Sequence, residues 1–268
     1  MSIEALIFDV DGTMADTEEA HRVAFNLAFD RQRLGWTWTR TEYRNLLAVA
    51  GGKERIAAYI QTLPVSTGLR QRLLSRVPEI HEDKTKFYSS AVRDGGVPLR
   101  DGIARLMDEA LDAGCRLAIA STTTAVNVDA LLQAAYGPRG VEMFTVIACG
   151  DQVRAKKPAP DIYRLVLQTL GIAPERAVAF EDSSNGLRSA VAAGVWTVDT
   201  PTFWTQGHDF SAAGLVLPRL GDPALPVQGE PGSALKRHAW LSLDELQELA
   251  EPRRPTNTLR ALYEGGYA

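Results

Sequence analysis

The chain is poor in the features that mark secreted, membrane-spanning or nucleic-acid-binding proteins. Only two cysteines, Cys115 and Cys149, occur in 268 residues. That is too few for a disulfide framework or a pair-of-pairs metal site, and both lie in apolar stretches as free thiols of a reducing compartment would. No apolar run approaches the roughly 20 residues of a membrane span. The N-terminus, MSIEALIFDV, lacks the cationic leader, apolar core and small-residue cleavage site of a signal peptide. Lys and Arg (29) are scattered among Asp and Glu (33), with a net charge of −4 and no long basic run. Neither nucleic acid nor an anionic membrane is therefore an expected partner. A cytoplasmic, globular monomer is the expectation, and no internal repeat is present.

What is there is 45% hydrophobic sequence, long enough for one sizeable core and a smaller second unit. Short β-branched runs at 5–10, 116–121, 144–150, 177–183 and 195–199 each end in polar or small residues. Helical patterns at 101–114, 125–136, 159–171 and 185–194 lie between or beside them, several closed by Gly114, Gly171 or Gly194. This alternation predicts an α/β fold, a doubly wound parallel sheet whose ligands bind at the carboxyl ends of the strands. One stretch breaks it. From 15 to 97 the pattern is helical and charged (18–32, 40–63, 68–77, 81–92), which predicts an inserted α-helical domain between residues 1–14 and a core resuming at 98. Its second exit, RDGGVPLRDG, has the glycines and proline of a hinge, so the insertion is expected to act as a lid. Residues 218–233 read as a loop, LSLDELQELA as a short helix capped by Ser242, and 251–268 as a partly ordered tail of the core domain.

The chemistry starts at ALIFDVDGTM. Residues two apart on a strand face the same way, so Asp9 and Asp11 are expected to emerge together. Like charges about 4 Å apart at an effective dielectric near 20 repel by roughly 4 kcal/mol, a cost that a bound cation or a reaction would justify. A calcium loop also begins D-x-D, but would need Gly and an acid where the chain has Met14 and Ala20. A purely structural pair, with Asp11 capping the next helix, is the other reading. Three further strand ends converge on the same rim. AIAST offers Ser121 with Thr122, Thr123 and Thr124 at a helix start, suited to an anion or to plain capping. AKKPAPD offers Lys157, which alone would be a solvated surface lysine. AFEDSSNG offers Glu181 and Asp182, of which Asp182 or Ser183 is equally a helix cap. Taken together, the acids, one lysine and one hydroxyl amount to a Mg²⁺ and phosphate site, with Gly12 allowing close backbone approach and Thr13 adding a hydroxyl.

In this order, DVDGT, the serine ending the second strand, KPAPD and FEDS resemble the motifs of the haloacid dehalogenase superfamily of phosphatases and phosphomutases. The helical insertion resembles the α-helical cap of its β-phosphoglucomutase-like subgroup. TEEAHRVAFN, TRTEYRNLL, GGKERIA, KTKF, STTT, KKPAPDIYRL and FEDSSNGLR are similar to segments of the xylulose-1,5-bisphosphate phosphatases found with carbon-fixation enzymes. Met14 replaces the usual Leu, a nearly volume-conserving change, and Ser121 replaces a Thr while keeping the hydroxyl. Residues 225–268 have no obvious counterpart.

The resemblance implies a Mg²⁺-dependent phosphatase. Asp9 would be the nucleophile forming an aspartyl-phosphate, and Asp11 the acid and then the base. Ser121 and Lys157 would hold the phosphoryl oxygens. Asp9, the Asp11 main-chain carbonyl and Asp182 would bind the ion, with Glu181 ligating it or its waters. It further implies that Glu18, His21, Tyr43, Gly51, Gly52, Lys53, Arg55 and Lys84 face a phosphorylated sugar and its distal phosphate. From the residues alone, each of these could equally be a solvated or packed side chain. Trp36 and Trp38 are expected in the core of the cap. The expected reaction is dephosphorylation of xylulose 1,5-bisphosphate to xylulose 5-phosphate. A mutase of β-phosphoglucomutase type or a broader sugar-monophosphate phosphatase shares the same motifs. Asp11 argues against a metal-free dehalogenase, and the complete acid and lysine set against a binding module without turnover.

Overall fold

The apolar runs pair as expected into one sheet. A computed structural model describes residues 2–251 apart from 96, 230, 231 and 233. Its strands are β1 (Ala5–Phe8), β2 (Arg116–Ala120), β3 (Phe144–Ala148), β4 (Ala177–Glu181), β5 (Trp196–Asp199) and β6 (Leu215–Val216). They run in the order β3-β2-β1-β4-β5-β6, every pair parallel. The two-residue β6 is too short to leave a pattern and was not expected. In register, Phe8 sits beside Ile119 on one side and Phe180 on the other, so three neighbouring strands end level at one rim.

Alternation along the strands sorts the two faces. Leu6, Phe8, Leu117, Ile119, Phe180 and Val198 point to one side. There they pack with α6 (Ile103–Asp112), α7 (Ala125–Tyr136) and the closing α10 (Leu243–Ala250). Ala5, Ile7, Ala118, Ala120 and Ala179 point to the other, under α8 (Asp161–Leu170) and α9 (Ser184–Ala192). The small alanines on this face let the helices come close. Ser242 caps α10, its hydroxyl accepting from Glu245 N. The expected hinge includes residue 96 and the expected tail includes 252–268, which lie outside the described residues.

Between β1 and α6 stand α1 (Glu18–Arg31), α2 (Arg40–Leu46), α3 (Gly52–Thr62), α4 (Thr67–Ser75) and α5 (Val77–Arg93). The periodic run over 40–63 forms two helices. Residues 47–51 interrupt it, and Gly51 takes φ +90°, a conformation that a side chain resists. A capping box between Thr39 and Glu42 starts α2. The five helices pack around their own aromatic cluster of Phe25, Phe29, Trp38 and Tyr43, with Trp36 partly buried against it. The two connections to the sheet run side by side. Ala15 bridges Leu99, and Arg100 N donates to Met14 O at 2.8 Å.

Candidate active site

The rim gathers the residues that the strand ends predicted. Asp9 follows β1, and its Oδ1 accepts from Lys157 Nζ at 2.7 Å. The same Nζ donates to Glu181 Oε1 at 2.5 Å, as does the hydroxyl of Tyr163 from α8. Asp182 lies against Gly12, where a Cβ would collide with its carboxylate; Gly12 takes φ +85°. Ser183 caps α9, its hydroxyl accepting from Gly186 N at 3.2 Å. The capping role therefore falls to Ser183, and Asp182 is left to the site.

Asp9, Glu181 and Asp182 are all buried and offer carboxylate oxygens within 4.8 Å of one another. Burial pushes Asp9 up to about 7, Lys157 opposing and Glu181 and Asp11 reinforcing. Burial, then Asp9 and Glu181, push Asp182 well above the usual carboxylate range. Three acids against one buried lysine leave an excess of negative charge that a hard divalent cation would neutralise. Glu181 Oε2 also finds no hydrogen-bond partner among the described residues. The donor set fits a divalent metal ion of the Mg²⁺ kind.

Asp11 departs from the strand argument. β1 ends at Phe8, so Asp11 sits in the following turn, and its Oδ1 accepts from Thr17 at 2.7 Å and contacts His21 Nε2 at 2.8 Å. Burial opposes its ionisation, but His21 and the Thr17 hydroxyl outweigh this and hold the carboxyl below its usual range. Its carboxylate stands outside the three-acid cluster; the metal contact expected of this residue is its main-chain carbonyl. The two acids take different partners, Lys157 for Asp9 and His21 for Asp11, although Asp11 still adds to the upward push on Asp9.

Ser121, buried after β2, accepts from Thr123 N at 3.3 Å, and Thr122, Thr123 and Thr124 line the same cavity at the start of α7. Thr13 Oγ1 is buried without a hydrogen-bond partner among the described residues. Across the cavity, every residue expected from the insertion is present except Tyr43, which stands behind the wall. Its hydroxyl donates to Glu18 Oε2 at 2.6 Å and accepts from Arg55 at 3.3 Å. Lys84 Nζ lies 2.5 Å from His21 Nδ1, and burial, helped by Arg55, lowers it to about 7 against the pull of Asp11. Gly51 and Gly52 open α3 toward the cavity. Lys53 reaches the rim, 3.3 Å from Asp151.

Several contributors escaped the sequence reading. His81 lines the cavity beside Gly52 and is pushed down to about 3 by burial and by Lys84, Lys53 and Lys156. Lys156 pairs with Glu54 at 2.9 Å. Arg100 donates to Thr200 O at 2.7 Å and to Gly12 O, tying the turn after β1 to the end of β5. Thr205 reaches Asp182. Only Lys156, as the neighbour of Lys157, carried a local signal.

The family profile described as haloacid dehalogenase-like hydrolase matches residues 3–194. The chain belongs to this family. It is similar to protein CbbY, plasmid, of Cupriavidus necator, at 48% identity over 246 residues, covering 91% of this chain and 96% of the relative. CbbY from Rhodobacter sphaeroides with bound phosphate aligns at 46% identity and TM-score 0.75, over 81% of this chain and 94% of that one. A mutant of that protein bound to xylulose-(1,5)bisphosphate aligns at 46% identity and TM-score 0.76, over 83% and 98%. With this family and these relatives, the chain is a phosphatase of the haloacid dehalogenase-like hydrolases. Among the described residues no helix is long and apolar enough to cross a membrane, and both cysteines are buried and free.

Proposed function

We propose that the chain is a Mg²⁺-dependent phosphatase of a sugar bisphosphate, converting xylulose 1,5-bisphosphate to xylulose 5-phosphate, with the insertion as its cap. The observation that carries this is one cavity lined by two groups suited to phosphate. The core supplies Asp9, Ser121 and Lys157; the insertion supplies the start of α3 with Arg55, Lys53 and Lys84. The CbbY structure with that bisphosphate supports the choice of substrate.

Asp9 would attack phosphorus in line with the departing sugar oxygen and form an aspartyl-phosphate. Asp9, Asp182 and the Asp11 carbonyl, with Glu181 beside them, would hold Mg²⁺, whose charge would let a carboxylate approach a phosphate dianion. Lys157 keeps Asp9 oriented and offsets part of the same repulsion. Ser121 and the N–H groups opening α7 would bind the phosphoryl oxygens. Asp11, held ionised by His21 and Thr17, is suited to take the proton of the water that attacks the acyl phosphate. Approach of the substrate dianion favours its protonated form, as protonation of the departing oxygen requires. Arg55 and the free N–H groups of α3 would grip the distal phosphate, and Glu18 the sugar hydroxyls.

The test is release of inorganic phosphate from xylulose 1,5-bisphosphate with and without Mg²⁺, with ribulose 1,5-bisphosphate as the comparison. Fast, selective, Mg²⁺-dependent release is expected. Little release from either bisphosphate would overturn the substrate assignment and point to monophosphates, with a mutase reaction tested by product analysis. Asp9→Asn should remove turnover while its circular dichroism and melting curve keep the native form; retained turnover would sink the nucleophile assignment.

A further inference from the structure

After β5 the chain does not return directly to the sheet. Residues 200–208 cross from the metal-binding rim to the cap and back. At the start, Thr200 N donates to Glu181 O at 2.7 Å, and Arg100 holds the Thr200 carbonyl and hydroxyl at 2.7 and 2.9 Å. At the far end, Thr205 Oγ1 lies 3.4 Å from Asp182 Oδ2, and Ser184 N donates to His208 Nδ1 at 3.4 Å. Thr202 and Thr205 fold the middle into a turn, Thr202 N donating to Thr205 Oγ1 at 3.0 Å. That turn presents Trp204 to the cap.

Trp204 belongs to the α/β core by sequence, yet it is 3% exposed inside the aromatic cluster of the cap. Its ring meets Tyr43 edge-on, with centroids 5.7 Å apart and planes at 86°. Beside it, the Arg44 guanidinium stands 5.4 Å over the Phe203 ring and donates to Gln206 O at 2.5 Å. A core indole buried by the cap loses that burial whenever the cap lifts, so the contact favours the closed arrangement. The residue it backs is not neutral ground. Tyr43 holds Glu18 and Arg55 by its hydroxyl, the two groups assigned above to the sugar and the distal phosphate.

We propose that Trp204 is a positioning residue, the apolar end of a core strap that seats the cap. Through Tyr43 it sets Glu18 and Arg55 for the substrate, while Thr205 of the same strap ties this seating to Asp182. The substrate part rests on the bisphosphate reading; the seating of the cap does not.

The experiment compares Trp204→Ala, Trp204→Phe and Arg44→Ala with the wild type in two readouts. Hydrogen–deuterium exchange on the full chain reports seating without any substrate. Faster exchange is expected in α2 and in 200–208 for Trp204→Ala and Arg44→Ala, with β1 and β2 unchanged and Trp204→Phe close to wild type. Kinetics then compare xylulose 1,5-bisphosphate with p-nitrophenyl phosphate, which has no distal phosphate. For Trp204→Ala a loss on the order of 100-fold in kcat/KM is expected for the bisphosphate, with a much smaller loss for the aryl phosphate and rescue by Phe. Unchanged exchange in α2 would overturn the strap. Equal losses on both substrates, with Phe no better than Ala, would overturn its role in specificity. If the wild type cleaves only the aryl phosphate, the bisphosphate reading fails and exchange alone decides the strap. Arg44→Ala, altered outside the aromatic cluster, keeps the test decisive if Trp204→Ala does not fold.

Discussion

At the scale of single residues, Asp9 and Asp11 show how two acids one residue apart acquire opposite tendencies. Asp9 is buried among other acids and is pushed up to about 7, with only Lys157 opposing. Asp11 is held down by His21 and Thr17. Below pH 7 a metal ion entering the cluster must displace a proton from Asp9, in addition to any proton held by Asp182, whose carboxyl burial also pushes up. Mg²⁺ affinity, measured by titration calorimetry, is therefore expected to fall by at least about tenfold per pH unit below 7. An affinity flat from pH 8 to 6 would remove Asp9 from the ligand set. The identities of both acids were legible because aspartates ending an apolar strand have little reason to be there without a partner. Their separation was not legible, since it depends on where β1 stops and on His21, which arrives from the insertion.

Elements decide what each strand end can do. β4 delivers Glu181 and Asp182 to the rim, and α9 begins at once with Ser183 as its cap. Ser183→Ala should cost about 1 kcal/mol of stability in denaturant melts. By loosening the turn that carries Asp182, it should also weaken Mg²⁺ binding several-fold. Unchanged binding with the stability loss would show that β4 alone places Asp182. The strand and helix order of the core could be read from periodicity and glycine stops. The split of 40–63 into α2 and α3 was not read, because LLAVA continues the helical pattern and only Gly51 and Gly52 mark the break. That break brings the start of α3 to the cavity, so a local irregularity shapes its lining.

At the scale of the whole molecule, the site exists only where cap meets core. Arg55→Ala should raise KM for xylulose 1,5-bisphosphate well above its effect on a sugar monophosphate. Equal effects in the same assay would place Arg55 outside the distal-phosphate contact. At the rim, Lys53 with Asp151 and Glu54 with Lys156 form two ion pairs of reversed polarity across the boundary. Such partly exposed pairs are worth about 0.2–1 kcal/mol each. Glu54→Lys should accordingly lower kcat/KM a few-fold, and adding Lys156→Glu should recover most of the loss. Absence of recovery would mean that the pair does not help to seat the cap.

The sequence by itself determined the sheet and the helical insertion, because these are set by local periodicity, and it named the four motifs, whose residue types local packing does not explain. It also placed Trp38 in the insertion's own core. Only the tertiary structure decided which partner each charge takes. His21 on Asp11, Tyr43 behind Arg55, Arg100 across Gly12 and Thr200, and Trp204 inside the cap all join segments distant along the chain. Such contacts carry no period and no local signal. They depend on how the folded units meet, which is why the chemistry could be read from the strand ends and the cap's grip on it could not.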